Sequence, residues 1–261
     1  GCEVDYVAPD STGRISAEAL LALVKDTTLL VSVMHINSET GIIQPVEEIG
    51  EALSKTNVYF HVDATQSFGK LNDVIRNMKY DMLSFTAHKF GGPQGVGGLV
   101  LRRKRYKLPP ITSLFCGGQQ ERGIRPGTTP VALIAGMTTA AEIADLECAE
   151  QQAKCAAIKE DLLKHLEGVR YTINGAPEHC IPNTINISFD GVDAESLFVA
   201  LKAEYAFSNG SACNSSSYTP SYVLTEMGLS TKLINEAVRI SWSASSEVDF
   251  SQLVRCIKDM Q

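Results

Sequence analysis

Four side chains of this sequence have types and settings that suit covalent chemistry. They are a lysine, an aspartate, a cysteine and an arginine: Lys89, Asp63, Cys213 and Arg239. A lysine can form a Schiff base when desolvation or nearby cations lower its pKa. A thiolate is a nucleophile, an aspartate can pair with a cationic heterocycle, and an arginine can bind a carboxylate. Each also has a structural interpretation, so its surroundings must decide.

Lys89 and Asp63 each follow a strand-like run of apolar residues. Lys89 stands in "SFTAHKFGGPQGVGG", behind Thr86 and His88, whose side chains can donate hydrogen bonds to a phosphate. The five glycines that follow it in this stretch allow close approach of a phosphate to the backbone. The structural interpretation of Lys89 is a solvated loop lysine. Asp63 can cap the next segment, with Gln66 as part of the cap, or pair with a pyridinium nitrogen such as that of pyridoxal phosphate.

Cys213 and Arg239 lie in the second half of the chain. Cys213 is in the polar loop "SNGSACNSSSYTP", where a thiol is accessible to solvent and can be either reactive or incidental. Arg239 interrupts the apolar run "AVRISW". A buried arginine needs a carboxylate partner, which can belong to the protein or to a substrate. Both alternatives stay open for each residue.

The composition excludes several classes of function. The chain has 261 residues, 44% of them hydrophobic and 20% charged, and a formal net charge of -7. The acidic balance argues against direct binding of nucleic acid, and no apolar run reaches the roughly 18 to 20 residues of a membrane span. The N-terminal residues lack the pattern of a secretion signal, so we expect a cytoplasmic protein. Seven cysteines without a C-x-x-C pair indicate reduced thiols and no metal site.

The first half of the chain alternates short apolar runs with a helical pattern. The runs predict strands, and the segment 44–55 predicts a crossover helix; the strands are at 28–36, 57–64, 80–87 and 97–102. Such strands favour a mostly parallel sheet, in which ligands gather at the carboxyl ends. Asp63 and Lys89 both fall at strand ends on this rim.

The second half has a different pattern. Residues 129–167 predict a long helical stretch that is broken or bent once. Further elements are predicted beyond it: strands at 184–188 and 237–242, helices near 193–203 and 220–227, and a polar loop at 208–217. We therefore predict an α/β protein with two domains, a large cofactor-binding domain at 1–145 and a smaller α+β domain at 146–261 that carries the cysteine loop.

Seven ordered segments give the sequence a specific resemblance. They include "HVDATQSFGKL", "LSFTAHKFGGPQGVGGLVLRR", "GGQQERGIRPGTTP" and "SNGSACNSSSYTPSYVL". Together these segments resemble the pyridoxal-phosphate-dependent cysteine desulfurases, fold type I enzymes of the class V aminotransferase group. The Gly-Ser-Ala-Cys loop resembles the subgroup with a long cysteine loop. The match runs from Gly1 to about Phe250.

The resemblance implies a role for each candidate residue. Lys89 would bind the cofactor covalently, Asp63 would pair with its ring nitrogen, and Gln66 would donate to its phenolic oxygen. The remaining assignments are Thr86 and His88 to the phosphate, Thr128 to the phosphate of the partner subunit, Ser38 to the cofactor, Arg239 and Asn37 to the substrate, and Cys213 as the nucleophile. The family usually has Asn at the position of Ser38, so one cofactor contact differs here.

The resemblance also implies an activity and partners. L-cysteine would be converted to L-alanine, leaving a persulfide on Cys213 for transfer to sulfur-acceptor proteins, and the enzyme would be a homodimer. The sulfur would serve iron-sulfur cluster assembly, tRNA thiolation or DNA phosphorothioation. The alternatives are another pyridoxal-phosphate-dependent lyase or aminotransferase, and a non-catalytic scaffold that docks partners. A thiol such as Cys213 argues against transamination, which needs none.

The beginning of the chain differs from the family pattern. Cysteine desulfurases begin well upstream, with a phosphate-binding turn and a histidine that stacks on the cofactor ring, whereas this sequence begins at Gly1 just before "EVDYVAP". We therefore expect the 261-residue chain by itself to bind pyridoxal phosphate weakly or not at all.

Overall fold

The computed structural model describes residues 1–206, 208 and 220–261. These residues form two compact units, each with its own sheet. The parallel-sheet unit consists of residues 25–35 and 46–148, and the C-terminal unit consists of residues 1–24, 36–45 and 149–261. Cys213 and most of the predicted polar loop lie outside the described residues. No helix in the described part of the chain is long and apolar enough to cross a membrane.

The parallel-sheet unit is built on four strands in the order β1-β2-β3-β4. They are β1 (Leu30–Met34), β2 (Tyr59–Asp63), β3 (Met82–Thr86) and β4 (Gly97–Leu101). The β1–β2 and β2–β3 pairs are parallel, and β3–β4 is antiparallel. Each of the four predicted strands is present within its predicted range. The predicted α/β class with a mostly parallel sheet is confirmed.

Three helices belong to the same unit: α2 (Val46–Leu53), α3 (Asn72–Asn77) and α4 (Val131–Leu146). In α2 the side chains of Val46, Ile49 and Leu53 are buried on one face, as their helical spacing predicts. Helix α2 packs against β2, whose Phe60 and Val62 side chains are also buried. This burial holds the inner face of β2, and His61 and Asp63, which alternate with Phe60 and Val62, lie on the other face.

The C-terminal unit contains a three-stranded antiparallel sheet in the order β5-β6-β7. Its strands are β5 (Tyr171–Ile173), β6 (Thr184–Phe189) and β7 (Ala237–Ser241). All six residues of the central strand β6 are buried. The helices of this unit are α1 (Ala17–Ala22), α5 (Cys148–His165), α6 (Ala194–Leu201), α7 (Tyr222–Glu226), α8 (Thr231–Asn235) and α9 (Ser251–Met260). Leu162, Leu197 and Leu253 from three of these helices join Ile187 and Phe189 in one core.

The break predicted in the long helical stretch is present at Glu147. Helix α4 ends at Leu146 and α5 begins at Cys148, with Glu147 at φ -96° and ψ 0° between them. The change from one unit to the other falls immediately afterwards, between residues 148 and 149. This crossing lies close to the predicted domain boundary at 145.

The first residues of the chain pack differently from the sequence prediction. Residues 1–24 and 36–45 belong to the C-terminal unit, although the prediction placed them in the first domain. Hydrogen bonds explain this placement: Ala176 N donates to the Thr12 carbonyl at 2.9 Å, and Ile181 N donates to the Gly41 carbonyl at 3.0 Å. Apolar periodicity along the chain carries no information about such distant backbone pairing. The assignment of functions to domains 1–145 and 146–261 stays a prediction.

An ion pair stabilises the start of β2 and β3. The Asp81 carboxylate accepts hydrogen bonds from Phe60 N at 2.8 Å and from Lys104 Nζ at 3.1 Å. Lys104 Nζ also donates to the carbonyl of Val58 at 2.6 Å. The side chains of Lys104 and Asp81 are only 14% and 12% exposed, so solvent screens the pair little.

We expect Asp81→Ala to lower the free energy of unfolding by about 3 kcal/mol, because it leaves the Lys104 ammonium buried without its counter-charge. Urea denaturation of the purified protein measures the change. The matched control is Glu51→Ala, which removes an exposed pair with Lys79 at 3.9 Å. That control should cost less than about 0.5 kcal/mol. Equal losses of unfolding free energy in the two variants would show that the buried Asp81–Lys104 pair contributes no more to stability than the exposed pair.

Candidate functional site

The candidate site lies at the carboxyl ends of β2 and β3 in the parallel-sheet unit. Asp63 is the last residue of β2 and Thr86 is the last residue of β3. The two strands are parallel neighbours, with Asp63 paired to Ser84. Ala64 N then donates to the Ser84 carbonyl at 2.8 Å, which fixes the register just past the strand end. Both residues therefore lie at the edge of the sheet where ligands bind in such folds.

The half-buried Asp63 closes a tight turn with one oxygen. Its Oδ1 accepts a hydrogen bond from Thr65 N at 2.9 Å. This is the turn-forming contact of an aspartate with the residue two positions later, so the capping interpretation is right for one oxygen. No described residue donates a hydrogen bond to Oδ2, and the Gln66 side chain adds no second half to the cap. One carboxylate oxygen thus remains for a ligand.

Lys89 ends a single turn of 3₁₀ helix, Ala87–Lys89. The amides of Phe90 and Gly92 both donate to the Ala87 carbonyl, at 3.1 and 2.9 Å, and Gly91 between them has φ +88°. Such a φ suits glycine and few other residues. Lys89 is exposed, and no described residue lies within hydrogen-bond or ion-pair distance of its Nζ. Its ammonium is therefore presented by a hydrogen-bonded turn and not engaged by a described side chain.

Three aromatic rings support this turn. Phe68 stacks on Phe85 with ring centroids 4.2 Å apart, and Phe90 lies tilted at 5.0 Å from Phe68. A Cβ atom on Gly98 would lie 2.3 Å from the Phe85 ring. Close packing against Phe85 thus explains why position 98 is a glycine. The sequence interpretation had attributed this glycine to the close approach of a phosphate.

Thr86 and His88 share a hydrogen bond beside Lys89. Thr86 Oγ1 and His88 Nδ1 are 2.9 Å apart, and the Thr86 hydroxyl also donates to the Val96 carbonyl at 3.4 Å. A hydroxyl and an imidazole are thereby held together on the lysine turn. Thr128, the other predicted phosphate ligand, is exposed and follows Gly127, which has φ +112°.

The predicted substrate residues lie in the C-terminal unit. Asn37 Oδ1 accepts hydrogen bonds from Glu39 N at 2.8 Å and from Thr40 N at 3.1 Å, so this side chain shapes a turn. Ser38 is exposed in that turn, and its carbonyl accepts a hydrogen bond from Arg239 Nη1 at 3.1 Å. No described carboxylate forms an ion pair with Arg239. The half-buried guanidinium therefore keeps donors that can bind a carboxylate from outside the described chain.

The described cysteines do not form disulfides, and the thiol pKa values of two half-buried ones are raised. Burial raises the pKa of the Cys180 thiol, whose Sγ lies 3.2 Å from the Thr184 carbonyl. Burial also raises the pKa of Cys256. A raised pKa favours the unreactive thiol, which fits a structural role for both. Cys213, the predicted nucleophile, is outside the described residues.

The structure places two histidines close to Asp63 that the sequence interpretation did not include in the site. His61 lies on β2 two residues before Asp63, and therefore on the same face of the strand. His35 follows β1, and its amide donates to the Asp63 carbonyl at 2.9 Å. The signal for His61 was present in the alternation of the strand "YFHVD", because a polar residue two positions from a candidate residue shares its face. No comparable signal marks His35, whose burial depends on tertiary packing.

A comparison with known families places the chain in one of them. A family model described as aminotransferase class-V matches residues 1–249. The chain belongs to this family, whose members depend on pyridoxal phosphate. The resemblance seen in the sequence motifs is thereby confirmed.

Several individual proteins are similar to this chain. A protein named cysteine desulfurase IscS, from Serratia proteamaculans, is 44% identical over 263 residues, which cover 98% of this chain and 64% of that protein. The structure of DndA from Streptomyces lividans is 40% identical with a TM-score of 0.82, over 93% of this chain and 68% of that one. A structure of SspA in complex with cysteine is 32% identical with a TM-score of 0.76, over 95% and 68% of the two chains. The chain thus spans 64% of the length of its IscS relative.

The side chains at the sheet edge fit pyridoxal phosphate. The cofactor has a ring nitrogen that is cationic when protonated, an aldehyde and a phosphate. Asp63 offers an oxygen that no described donor occupies, Lys89 offers an ammonium without a described partner, and Thr86 and His88 offer donor groups on the same turn. The three chemical groups of the cofactor thus have counterparts among these residues.

The buried His35 generates a prediction on pH. The side chain is 1% exposed, its Nδ1 has no hydrogen-bond partner in the described chain, and burial lowers its pKa from 6.5 to about 4. Between these two pH values the unfolded chain binds a proton at His35 that the folded chain does not bind. Stability therefore falls as the pH falls through this window, by at most about 1.4 kcal/mol per pH unit from this group.

We expect His35→Gln to make the acid loss of stability shallower between about pH 6.5 and pH 4, because glutamine does not bind the proton. Urea denaturation at a series of pH values measures the slope. His165→Gln, at an exposed position of the C-terminal unit, is the control and should leave the slope of the parallel-sheet unit unchanged. An identical slope in wild type and His35→Gln would contradict the assignment.

Proposed function

We propose that this chain carries residues of a cysteine desulfurase, in whose reaction L-cysteine gives L-alanine and the sulfur remains on Cys213 as a persulfide. The observation that carries the proposal is the pair at the sheet edge: Asp63, with one carboxylate oxygen free of described donors, and Lys89, whose Nζ has no partner among the described residues. The identity of 44% with a relative named cysteine desulfurase supports the same activity. The SspA structure in complex with cysteine supports the same substrate.

The residues of the sheet edge would hold the cofactor. Asp63 would bind the ring nitrogen, Gln66 the phenolic oxygen, and Thr86 and His88 the phosphate, while Lys89 would bind the cofactor covalently. Pyridoxal phosphate, when bound, supplies a cationic ring that withdraws electrons from the substrate. The Asp63 carboxylate favours that cationic form because an opposite charge nearby stabilises it. The short side chain of Ser38 would supply a smaller contact than asparagine.

The C-terminal unit would bind the substrate and supply the nucleophile. Arg239 would bind the carboxylate of L-cysteine through donors that no described carboxylate occupies, and Asn37 would hold the turn that supports it. The Cys213 thiolate would attack the substrate sulfur. The bond from sulfur to carbon breaks, a sulfur-sulfur bond forms, and the carbon takes up a proton to give alanine. The persulfide sulfur would then pass to an acceptor protein.

We also propose that the protein acts as a homodimer. Thr128 is exposed in the parallel-sheet unit, and in a dimer it would bind the cofactor phosphate of the partner subunit. The same stretch exposes large apolar side chains at Leu114 and Phe115, 93% and 69% exposed. Apolar surface of this kind is typical of protein interfaces.

Two variants test the proposed chemistry. Lys89→Ala removes the covalent anchor of the cofactor, and we expect it to reduce both alanine release and the amount of bound cofactor, activity by at least about 100-fold. Cys213→Ser removes the thiol, and we expect it to reduce alanine formation and to abolish the protein persulfide. Alanine is measured by chromatography and the persulfide by mass spectrometry, with L-cysteine as substrate.

Matched controls use a lysine and a cysteine away from the site. Lys79→Ala removes an exposed lysine, and Cys2→Ser removes an exposed thiol. Both should retain cofactor binding and alanine release. Equal alanine from wild type and Cys213→Ser would exclude the persulfide role and favour another lyase or aminotransferase reaction. Cofactor bound equally by wild type and Lys89→Ala would exclude Lys89 as the anchor.

A further inference from the structure

A row of three hydrogen-bonding side chains crosses the sheet next to Asp63. His61 Nδ1 lies 2.8 Å from Ser32 Oγ on β1, and His61 Nε2 lies 3.1 Å from Ser84 Oγ on β3. Both ring nitrogens are therefore bonded to hydroxyls on the two neighbouring strands. The row lies near the carboxyl ends of the three strands. In the sheet Ser32 is paired with His61, and Ser84 is paired with Asp63.

The surroundings of His61 favour the neutral imidazole. Burial lowers the pKa of His61 below 6.5, and the Asp63 carboxylate opposes this shift. The same face of β2 also carries the phenol of Tyr59. The facing residues of β1 and β3 are uncharged: Leu30, Ser32, Met34, Met82, Ser84 and Thr86. Among the described residues, Asp63 is the one charged group that perturbs the His61 pKa.

Serine hydroxyls suit this arrangement because each can donate or accept a hydrogen bond. A neutral imidazole donates through one nitrogen and accepts through the other, so the two serines satisfy either tautomer without a charge. Near neutral pH the Asp63 carboxylate is then not compensated by its neighbour on the strand. A protonated His61 would place a positive charge about 7 Å along the strand from Asp63.

We propose that His61 is a positioning residue for the cofactor: it ties β1, β2 and β3 together beside Asp63 and, by staying neutral, leaves the carboxylate charge for the ring nitrogen. This inference rests on the proposed function, because it concerns the group that Asp63 binds. A protonated His61 would repel the cationic ring and attract the carboxylate, so it would weaken cofactor binding. A purely structural tie between the strands would have no such pH dependence.

The first test measures the coupling between His61 and Asp63 without cofactor. The pKa of His61 is followed by NMR of the ring nitrogens in the wild-type chain and in Asp63→Asn, with His61→Gln to assign the signal. Loss of the carboxylate should lower the His61 pKa by about half a unit or more. The signal of the exposed His165 should not move. An unchanged His61 pKa in Asp63→Asn would overturn the proposal.

The second test measures affinity for pyridoxal phosphate by absorbance at about pH 8 and at a pH about one unit below the His61 pKa found by NMR, in wild type and His61→Gln. Glutamine keeps hydrogen-bonding groups but does not gain a proton. The titration of the cofactor itself is common to both proteins and cancels in the ratio of their dissociation constants. From the higher to the lower pH the wild-type constant should rise about three-fold or more relative to that of His61→Gln.

The outcomes separate this inference from the proposed function. If the cofactor binds but the ratio does not change with pH, His61 is only a structural tie, and the proposed function stands. If neither protein binds the cofactor at either pH, the chain by itself lacks the cofactor affinity that the desulfurase reaction requires, and the NMR experiment alone decides the coupling. Asp63→Asn leaves His61 in place, so that experiment also decides the matter if His61→Gln does not fold.

Discussion

The candidate site depends on the parallel register between β2 and β3. Side chains alternate between the faces of a sheet, so a slip of one residue would move Asp63 to the buried face and replace it with a hydrophobic neighbour. The pairing of Asp63 with Ser84 prevents this, and hydrogen bonds hold it at both ends of the strands. At the start the Asp81 carboxylate binds the amide of Phe60, and past the end Ala64 N binds the Ser84 carbonyl. The strand-end chemistry is therefore a consequence of backbone pairing.

Most of the elements around the site could be predicted because their signals are local. Four apolar runs marked the strands, and helical spacing of Val46, Ile49 and Leu53 marked α2. The antiparallel direction of β4 could not be predicted, because strand direction depends on how the connecting loop folds back. The short elements β5 and α1, with 3 and 6 residues, were missed because so few residues give no clear period.

The residues of the candidate site also divide into those that the sequence predicts and those that it does not. Asp63 and Lys89 stood out because each follows an apolar run, and their place at one sheet edge followed from the prediction of parallel strands. The contribution of His61 depends on hydroxyls from two other strands, Ser32 and Ser84, which are 29 and 23 residues away in sequence. Gly98 was interpreted differently from the sequence, as a glycine that lets a ligand approach. In the structure a side chain at this position would clash with the ring of Phe85.

Two aspartates of the same sheet show how structure separates a supporting carboxylate from a candidate functional one. Asp81 binds a protein amide and the Lys104 ammonium, so its charge is matched inside the fold. Asp63 binds one amide and has no described cation within ion-pair distance, while burial keeps the neighbouring imidazoles of His35 and His61 neutral by lowering their pKa values. An unmatched carboxylate is unfavourable unless water or a ligand compensates it. A cationic heterocycle at the ends of β2 and β3 would supply that missing charge, which gives a physical reason for the neutral histidines around Asp63.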